Sequence, residues 1–417
     1  MDNPAWHHNM SDMESDAIII GGGLNGSTMA LALASAGLSV TIIDPLPQNT
    51  RADAAFDGRG YALAHASKRL LSALDIWPQV ADKAQEILDI KVSDGRPGEG
   101  ASPMVLEFDH AEIEEGPMGY MLEDRHLRRA LLGAMQQNPN ITQITEKVAS
   151  HSTEGATASV QLSNGNILTT RLIIAADGAQ SPTAKRAKIT RTGWDYGQTA
   201  LVCAIAHKRP HHGTAHQFFM PPGPLAILPL PNMRASIVWT ERSEEAARIQ
   251  ALDDAGYITH LAPRVGDFLG PISLAGSRFT YPLGLSIANR FAEHRLALIG
   301  DAAHKVHPIA GQGLNAGLKD VAALAETIVA AHRRGEDFGR SDVLNRYQEW
   351  RRFDTASLAL ATDGFNRLFS NDNPALRLAR DIGLAAVNAW PGLRRSLIRE
   401  AAGLTGDLPR LLQGHPL

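Results

Sequence analysis

The segment from Asp16 to Asp44 constrains this chain more than any other. A β-branched run, Ala17-Ile-Ile-Ile20, leads directly into Gly21-x-Gly23-x-x-Gly26, with Leu24 and Asn25 between the last two glycines. Ser27 to Gly37 is rich in Ala and Leu and reads as a helix closed by its final glycine. Ser39 to Asp44 reads as a second strand, buried on both faces and parallel to the first. Each glycine has its own task in such a unit. Gly21 makes the tight turn, Gly23 lets the backbone approach a pyrophosphate, and Gly26 allows the helix to pack closely on the strand. The phosphates then rest on unpaired N–H groups at the positive end of the helix. Asp44, at the end of the second strand, offers a carboxylate to ribose hydroxyls. The order strand, glycine turn, helix, strand, acid points to a dinucleotide-binding βαβ unit and leaves FAD and NAD(P) both open.

A second motif separates them. Arg295 to Asp320 contains a short apolar strand, Leu296 to Ile299, that stops at Gly300-Asp301. His307-Pro308 and Gly311-Gln312-Gly313-Leu314 follow, with an Ala/Leu helix expected from about Asn315. Asp301 is placed to accept from a polyol hydroxyl. The helix start supplies N–H groups for an electron-rich ring edge. A flavin has both a ribityl chain and an N1/C2=O edge that becomes negative on reduction; a nicotinamide dinucleotide has neither.

With Asp177-Gly178, these motifs resemble the single-component, FAD-dependent aromatic hydroxylases of the p-hydroxybenzoate hydroxylase fold. The finer pattern is similar to the ubiquinone-biosynthesis hydroxylases. It comprises Asp57-Gly-Arg59 followed by Ala62-Leu63 and Ser67, Leu122-Glu-Asp-Arg125, Trp194-Asp-Tyr196-Gly-Gln198, Gly223-Pro224-Leu-Ala-Ile-Leu-Pro229, and His307-Pro-Ile-Ala-Gly-Gln-Gly-Leu-Asn315. The resemblance spans about residues 16 to 360. It implies an α/β protein: a Rossmann-like FAD-binding domain with an inserted, mostly antiparallel β-sheet substrate domain and a helical C-terminal region. The expected division is a disordered tail at 1–15, FAD-binding segments at 16–85, 120–187 and 280–365, substrate segments at 86–119 and 188–279, and C-terminal helices at 366–417.

The cofactor-binding residues so implied are Gly21, Gly23, Leu24, Asn25, Gly26, Asp44, Arg59, Arg125, Asp177, Gly300, Asp301, Pro308, Gly311, Gln312, Gly313, Leu314 and Asn315. Arg59 and Arg125 are candidates for phosphate or ribityl contacts, and the Asp177 turn is expected to pack under the flavin. One departure stands out. The family has an arginine three residues after the serine of this turn, whereas Ser181 is followed by Pro182, Thr183 and Ala184, with Lys185 one position late.

The implied reaction is hydroxylation of the aromatic ring of a polyprenyl phenol in ubiquinone biosynthesis. It would run through a flavin C4a-hydroperoxide and require O2 and NAD(P)H or another external electron donor. The cofactor carries the hard chemistry, so no catalytic base is assigned. The alternatives are another flavoprotein of this fold, such as a hydroxylase of a different aromatic or a polyprenyl reductase, or an FAD-bound non-catalytic subunit of a biosynthetic complex. Membership of a ubiquinone-biosynthesis protein complex is open on either reading.

Residues 190 to 280 alternate in short apolar runs separated by Pro and Gly, interrupted by a segment of helical spacing, Ser243 to Leu261. Phe218, Phe219, Leu228, Pro229 and Trp239 are candidate pocket residues, each equally at home in a sheet core. From Val343 the chain reads as amphipathic helices with Arg351-Arg352, Arg367, Arg377, Arg380, Arg394, Arg395 and Arg399, expected to be solvated.

A net charge of −4 leaves no global field for nucleic acid. The single cysteine, Cys203, cannot form an internal disulfide, and no metal site is expected. No uninterrupted apolar run reaches the ~20 residues of a membrane span. These features predict a cytoplasmic protein, with peripheral contact at the inner membrane left open.

Overall fold

The computed structural model describes residues 15–96, 98, 100–101, 105–306, 311–369, 383 and 387–417. The expected tail lies outside them except for Ser15, which is the first residue of strand β1 (Ser15–Ile20). The turn then enters helix α1 (Leu24–Ser35), followed by β2 (Val40–Ile43). The middle of the chain gives β3 (Gly60–Ala64), α2 (His65–Ala73), β4 (Asp89–Arg96), β5 (Gly119–Glu123), α3 (Asp124–Gln137), β6 (Ile141–Ile144) and β7 (Ile167–Ala175). The long meander is β8 (Arg191–His207), β9 (Thr214–Met220), β10 (Gly223–Leu230) and β11 (Arg234–Arg242). After it come α4 (Ser243–Gln250), α5 (Asp254–Val265), β12 (Phe279–Ala288) and β13 (Leu296–Leu298). The C-terminal part holds α6 (Gln312–Arg333), α7 (Ser341–Phe369) and α8 (Pro391–Ala401).

Two large sheets organise these elements, with β3 and β5 paired in a small third one. In the first, parallel strands run in the order β13-β7-β1-β2-β6, with Ile19 beside Ile42 on one side and Ile174 on the other. Ala17, Ile18 and Ile19 are fully buried, as a strand covered by helices on both faces must be. Helices α1 and α6 pack against each other over this sheet, so the carboxyl ends of β1, β7 and β13 open onto both helix starts.

The second sheet is mostly antiparallel, in the order β12-β8-β11-β10-β9-β4, with β4 and β9 parallel. β8 pairs with β12 over 191–202 and with β11 over 198–206. The domain limit expected at 280 therefore falls inside a strand: β12 continues the second sheet because it is the partner of the long β8. The limit expected at 366 likewise falls inside α7. The helical segment predicted over Ser243–Leu261 is two helices, broken where the Asp253 carboxylate accepts from the Gly256 N–H at 2.8 Å and caps the second one.

Cys203 lies in the core under α4 and α5, and burial pushes its thiol up to about 12, so it is inert at neutral pH.

Candidate functional site

The three glycines of the first turn are held for three different geometric reasons. Gly21 has φ +106°, a conformation L side chains rarely adopt, and a β-carbon there would collide with the Ala176 carbonyl. At Gly26 a β-carbon would collide with the Gly21 carbonyl oxygen, so the close approach of α1 to the turn requires its absence. Gly23, the N-cap of α1, has ordinary extended angles and nothing within 4 Å of where a β-carbon would stand. The space in front of Gly23 is therefore open, and the first N–H groups of α1 face it. The helix begins at Leu24, three residues before the expected Ser27, so Leu24, Asn25 and Gly26 form its first turn.

Asp44 stands at the end of β2. One of its carboxylate oxygens accepts from the Gly22 N–H at 2.6 Å and the other from the Leu46 N–H at 2.8 Å. Arg51, which the sequence reading passed over, reaches back to donate to the Gly22 carbonyl at 3.1 Å. It is buried, its Nε has no partner among the described residues, and desolvation lowers its pKa against the opposing pull of Asp44. A desolvated cation with an unused donor beside a glycine turn suits a diphosphate. The only sequence signal for it was a basic residue a few positions past the acid.

The second helix start is built from further away. Helix α6 begins at Gln312 and not at Asn315, because Gly311 takes the left-handed conformation (φ +64°) and turns the chain into the helix early. Gln312, Gly313 and Leu314 thus carry the first-turn N–H groups that have no partner within the helix, and among the described residues nothing stands within 4 Å of a β-carbon position at Gly313. Leu314 packs on the core below. The Asn315 side chain is committed to the protein. Its Oδ1 accepts from the Ala64 N–H (2.9 Å) and the Ser67 hydroxyl (2.8 Å), and its Nδ2 donates to the Ala62 carbonyl (2.8 Å), which braces α6 against β3 and α2. Pro308 lies outside the described residues, as does His307.

Gly300-Asp301 sits between the two helix starts. Asn25 of α1 wedges between Gly300 and Gly317 of α6, where a β-carbon on either glycine would strike its amide, and its Oδ1 is buried without a partner among the described residues. The Gly300 N–H donates at 2.8 Å to Asp320, a fully buried carboxylate that also receives His304 Nε2 (2.6 Å) and Arg351 Nε (2.8 Å). Burial alone would raise the Asp320 pKa, but the His304 and Arg351 charges and hydrogen bonds outweigh it and hold the carboxyl below its ordinary value. Arg351 is therefore not the solvated surface arginine expected from its helix; it is the buried counter-charge of Asp320. From β8, Arg191 donates to the carbonyls of Asp301 (3.2 Å) and Ala302. The Asp301 carboxylate is exposed to the crevice, yet the surrounding protein desolvates it and raises its pKa. The charges of His304, Lys305 and Arg191 offset that rise in part.

The remaining expected residues fall into two groups. Asp177 follows β7 with its backbone against Gly21, but its carboxylate accepts from the Ser181 hydroxyl and the Thr183 N–H (3.0 Å), where the chain enters a short helix. Its side chain is used locally. Arg59 and Arg125 lie on a charged rim formed by β3, β5 and α3. Arg59 pairs with Asp57 (2.6 Å) and approaches Asp124 (3.7 Å), and Arg125 pairs with the buried Glu123 (2.7 Å). Asp124 also receives the Tyr61 hydroxyl at 2.9 Å and Arg128 at 2.7 Å.

Beside the start of α6 lies an apolar cavity of about 310 Å³ between the second sheet and α8. Gln312 and Asn315 reach one part of its wall; Phe219, Leu228, Leu397 and Ile398 form others. Of the residues expected to line a pocket, Phe219 and Leu228 do so. Phe218 and Trp239 belong instead to the core under α4 and α5, and Pro229 is not part of the wall. Helix α8 is tied over the cavity by Arg394 to Glu112 (2.7 Å) and Arg399 to Glu115 (2.6 Å).

The residues present fit a flavin dinucleotide: two helix starts, an Arg51 donor without a partner among the described residues, the Asp44 carboxylate and the desolvated Asp301 carboxylate lie beyond the carboxyl ends of β1, β2 and β13. Comparison with known proteins agrees. Residues 14–359 match the model of a family described as FAD binding domain. The chain is 43% identical to ubiquinone hydroxylase UbiL of Rhodospirillum rubrum, over 98% of this chain and 94% of that protein. It is 33% identical to 3-demethoxyubiquinol 3-hydroxylase of Escherichia coli, over 95% of this chain and the whole of that protein. The fold is similar to that of p-nitrophenol 4-monooxygenase from Pseudomonas putida, with a TM-score of 0.79 at 19% identity, over 94% of this chain and 98% of that one.

Proposed function

The chain belongs to the FAD-binding domain family that matches its residues 14–359, and from that membership we propose that it hydroxylates the aromatic ring of a polyprenyl phenol in ubiquinone biosynthesis. It is an FAD-dependent aromatic-ring monooxygenase that uses O2 and NAD(P)H or another external electron donor. The observation that carries the reading is the meeting of three features: the open start of α1, the open start of α6, and an apolar cavity whose wall includes Gln312 and Asn315.

On this reading Gly21, Gly23, Leu24, Asn25 and Gly26 hold the diphosphate, with Arg51 as its cation and Asp44 on the ribose. Asp301 takes a ribityl hydroxyl. The first-turn N–H groups of Gln312, Gly313 and Leu314 face the ring edge, where they stabilise negative charge. Arg59 and Arg125, each paired with a carboxylate on the rim, remain the candidates for a further phosphate or ribityl contact. When bound, FAD supplies the activation of O2; the protein orients the phenol and keeps water out of the apolar chamber.

A long prenyl chain exceeds this cavity, so its remainder passes out beside Leu397, which both lines the cavity and is 40% exposed. Trp390 and Leu393 continue that exposed apolar stripe along α8. These side chains are the proposed contact with a membrane surface. Arg394 and Arg399 are not, since both are already paired with glutamates. No helix among the described residues is long and apolar enough to cross a membrane.

The test is turnover of a prenylated phenol under isotopically labelled dioxygen. One labelled oxygen atom in each product ring is expected. Donor oxidation with hydrogen peroxide as the only product, across short- and long-tailed phenols, would remove the hydroxylase reading.

A further inference from the structure

Strand β9 presents Ala215, Gln217 and Phe219 to one face and His216 and Phe218 to the other, as strand alternation requires. The first set lines the cavity. His216 also borders the cavity, while its ring packs 4.3 Å from the Phe268 ring and 5.7 Å from that of Phe218 between centroids. Across the sheet, Gln217 is flanked by Val92 on β4 and Ala226 on β10. An amide thus occupies a place in an apolar face where a branched aliphatic would pack without cost.

The polar groups of the cavity wall differ in what they have left to offer. The Asn315 amide is fully used by the protein, and Gln312 is engaged. Gln217 Nε2 is buried with no hydrogen-bond partner among the described residues. A buried donor without an acceptor is a standing penalty that a ligand oxygen removes. No Lys, Arg, Asp or Glu is part of the wall among the described residues, and burial lowers the pKa of the wall's histidine, His216, to about 4, which leaves it neutral at pH 7 and without a charge to compensate a ligand's.

We propose that Gln217 reads an oxygen substituent on the substrate ring, and that the cavity accepts neutral oxygenated rings and rejects carboxylated ones. This rests on the hydroxylase reading and names the substrate class of that same site. The carboxamide can donate its N–H to a phenol or methoxy oxygen and accept from a phenol O–H through Oε1, so it suits an uncharged ring in either hydrogen-bonding sense. A site that hydrogen-bonds a ring oxygen also discriminates against the analogue that lacks it, because the amide is then left unpaired again.

The experiment uses the FAD-loaded full chain and three probes with the same short alkyl chain: a 2-alkylphenol, the corresponding alkylbenzene, and the corresponding alkyl-hydroxybenzoate. Dissociation constants come from perturbation of the flavin absorbance. Wild-type protein is expected to bind the phenol roughly tenfold more tightly than the alkylbenzene and to bind the benzoate most weakly. In Gln217→Met, close in size, the phenol preference should fall to about twofold while alkylbenzene binding is kept or improved, with FAD retention unchanged. Gln217→Leu gives a second measurement should the methionine variant fold poorly. A phenol preference that survives in both variants overturns the role of Gln217 and leaves the hydroxylase reading standing. Equal binding of the benzoate and the phenol by wild type overturns the neutral-ring assignment. Wild-type protein that binds none of the probes removes the cavity as the substrate site, and the inference with it.

Discussion

The starts of α1 and α6 perform parallel tasks but are built in opposite ways. The α1 start is held by its neighbours in sequence: Gly21, Gly23 and Gly26 shape it, and β1 and β2 place it. The α6 start depends on groups brought from far along the chain. Asp320 fixes the Gly300 N–H, Arg351 of α7 and His304 balance Asp320, Arg191 of β8 holds the Asp301 and Ala302 carbonyls, and Asn315 ties the first turn to β3. A glycine turn needs only backbone freedom, whereas the second site needs buried charge kept in balance. The first should therefore fail by steric exclusion, and the second by loss of a counter-charge.

The largest effect is expected at the first. Gly26→Ala places a methyl group against the Gly21 carbonyl oxygen with rigid backbone on both sides, and should abolish recovery of folded protein. Soluble yield and circular dichroism check it; a folded variant of wild-type melting temperature would mean that the close packing of turn on helix is not needed.

The second start should break through charge. Asp320→Asn leaves buried Arg351 with only the exposed Asp354 carboxylate as counter-ion and should cost about 3 kcal/mol, read by denaturant unfolding. The pH dependence has a definite sign. The folded-state pKa of Asp320 is depressed, so its stabilisation is present above the ordinary carboxylate value near ~4 and is lost as pH falls below that through the folded value. Wild-type stability should thus fall more steeply with acid than that of the variant. Parallel acid limbs would show that Asp320 is not the charged centre of this web.

A smaller effect is expected from Asp44→Ala. It removes one charge-assisted acceptor from the turn and from the proposed ribose contact, worth about 1.5–3 kcal/mol in FAD affinity. The melting temperature of the apoprotein should move little by comparison. A fall in stability equal to the fall in affinity would make Asp44 a brace of the turn alone.

The same contrast explains what the sequence disclosed. Gly21-x-Gly23-x-x-Gly26 and Asp44 were legible because their geometry follows from local spacing, and Gly300-Asp301 with Gly311-x-Gly313 from motif order. Arg51, Arg191 and Asp320 were not legible as site residues. Each acts through a partner that only the tertiary fold brings near, and nothing in local spacing marks a buried arginine from a solvated one. Arg351 shows the cost: on an amphipathic helix it reads as surface, and in the fold it is buried. The cavity was half legible. Alternation places Phe218 and Phe219 on opposite faces of β9, but which face meets α8 depends on a helix distant in sequence. Helix starts were misplaced by three residues at both sites, since the sequence does not show where a glycine N-cap turns the chain.

The central claim is that both helix starts hold the same FAD molecule, and titration of FAD into apoprotein tests it most directly. Wild type, Gly23→Ala and Gly313→Val are compared, since among the described residues nothing stands within 4 Å of a β-carbon at either glycine and neither change should disturb the fold. Wild type should bind one FAD per chain, and both variants should bind it at least tenfold more weakly at wild-type apoprotein melting temperatures. Unchanged affinity in Gly313→Val, with affinity lost in Gly23→Ala, would contradict the account: the nucleotide would lie on α1 alone, and α6 would not face the flavin.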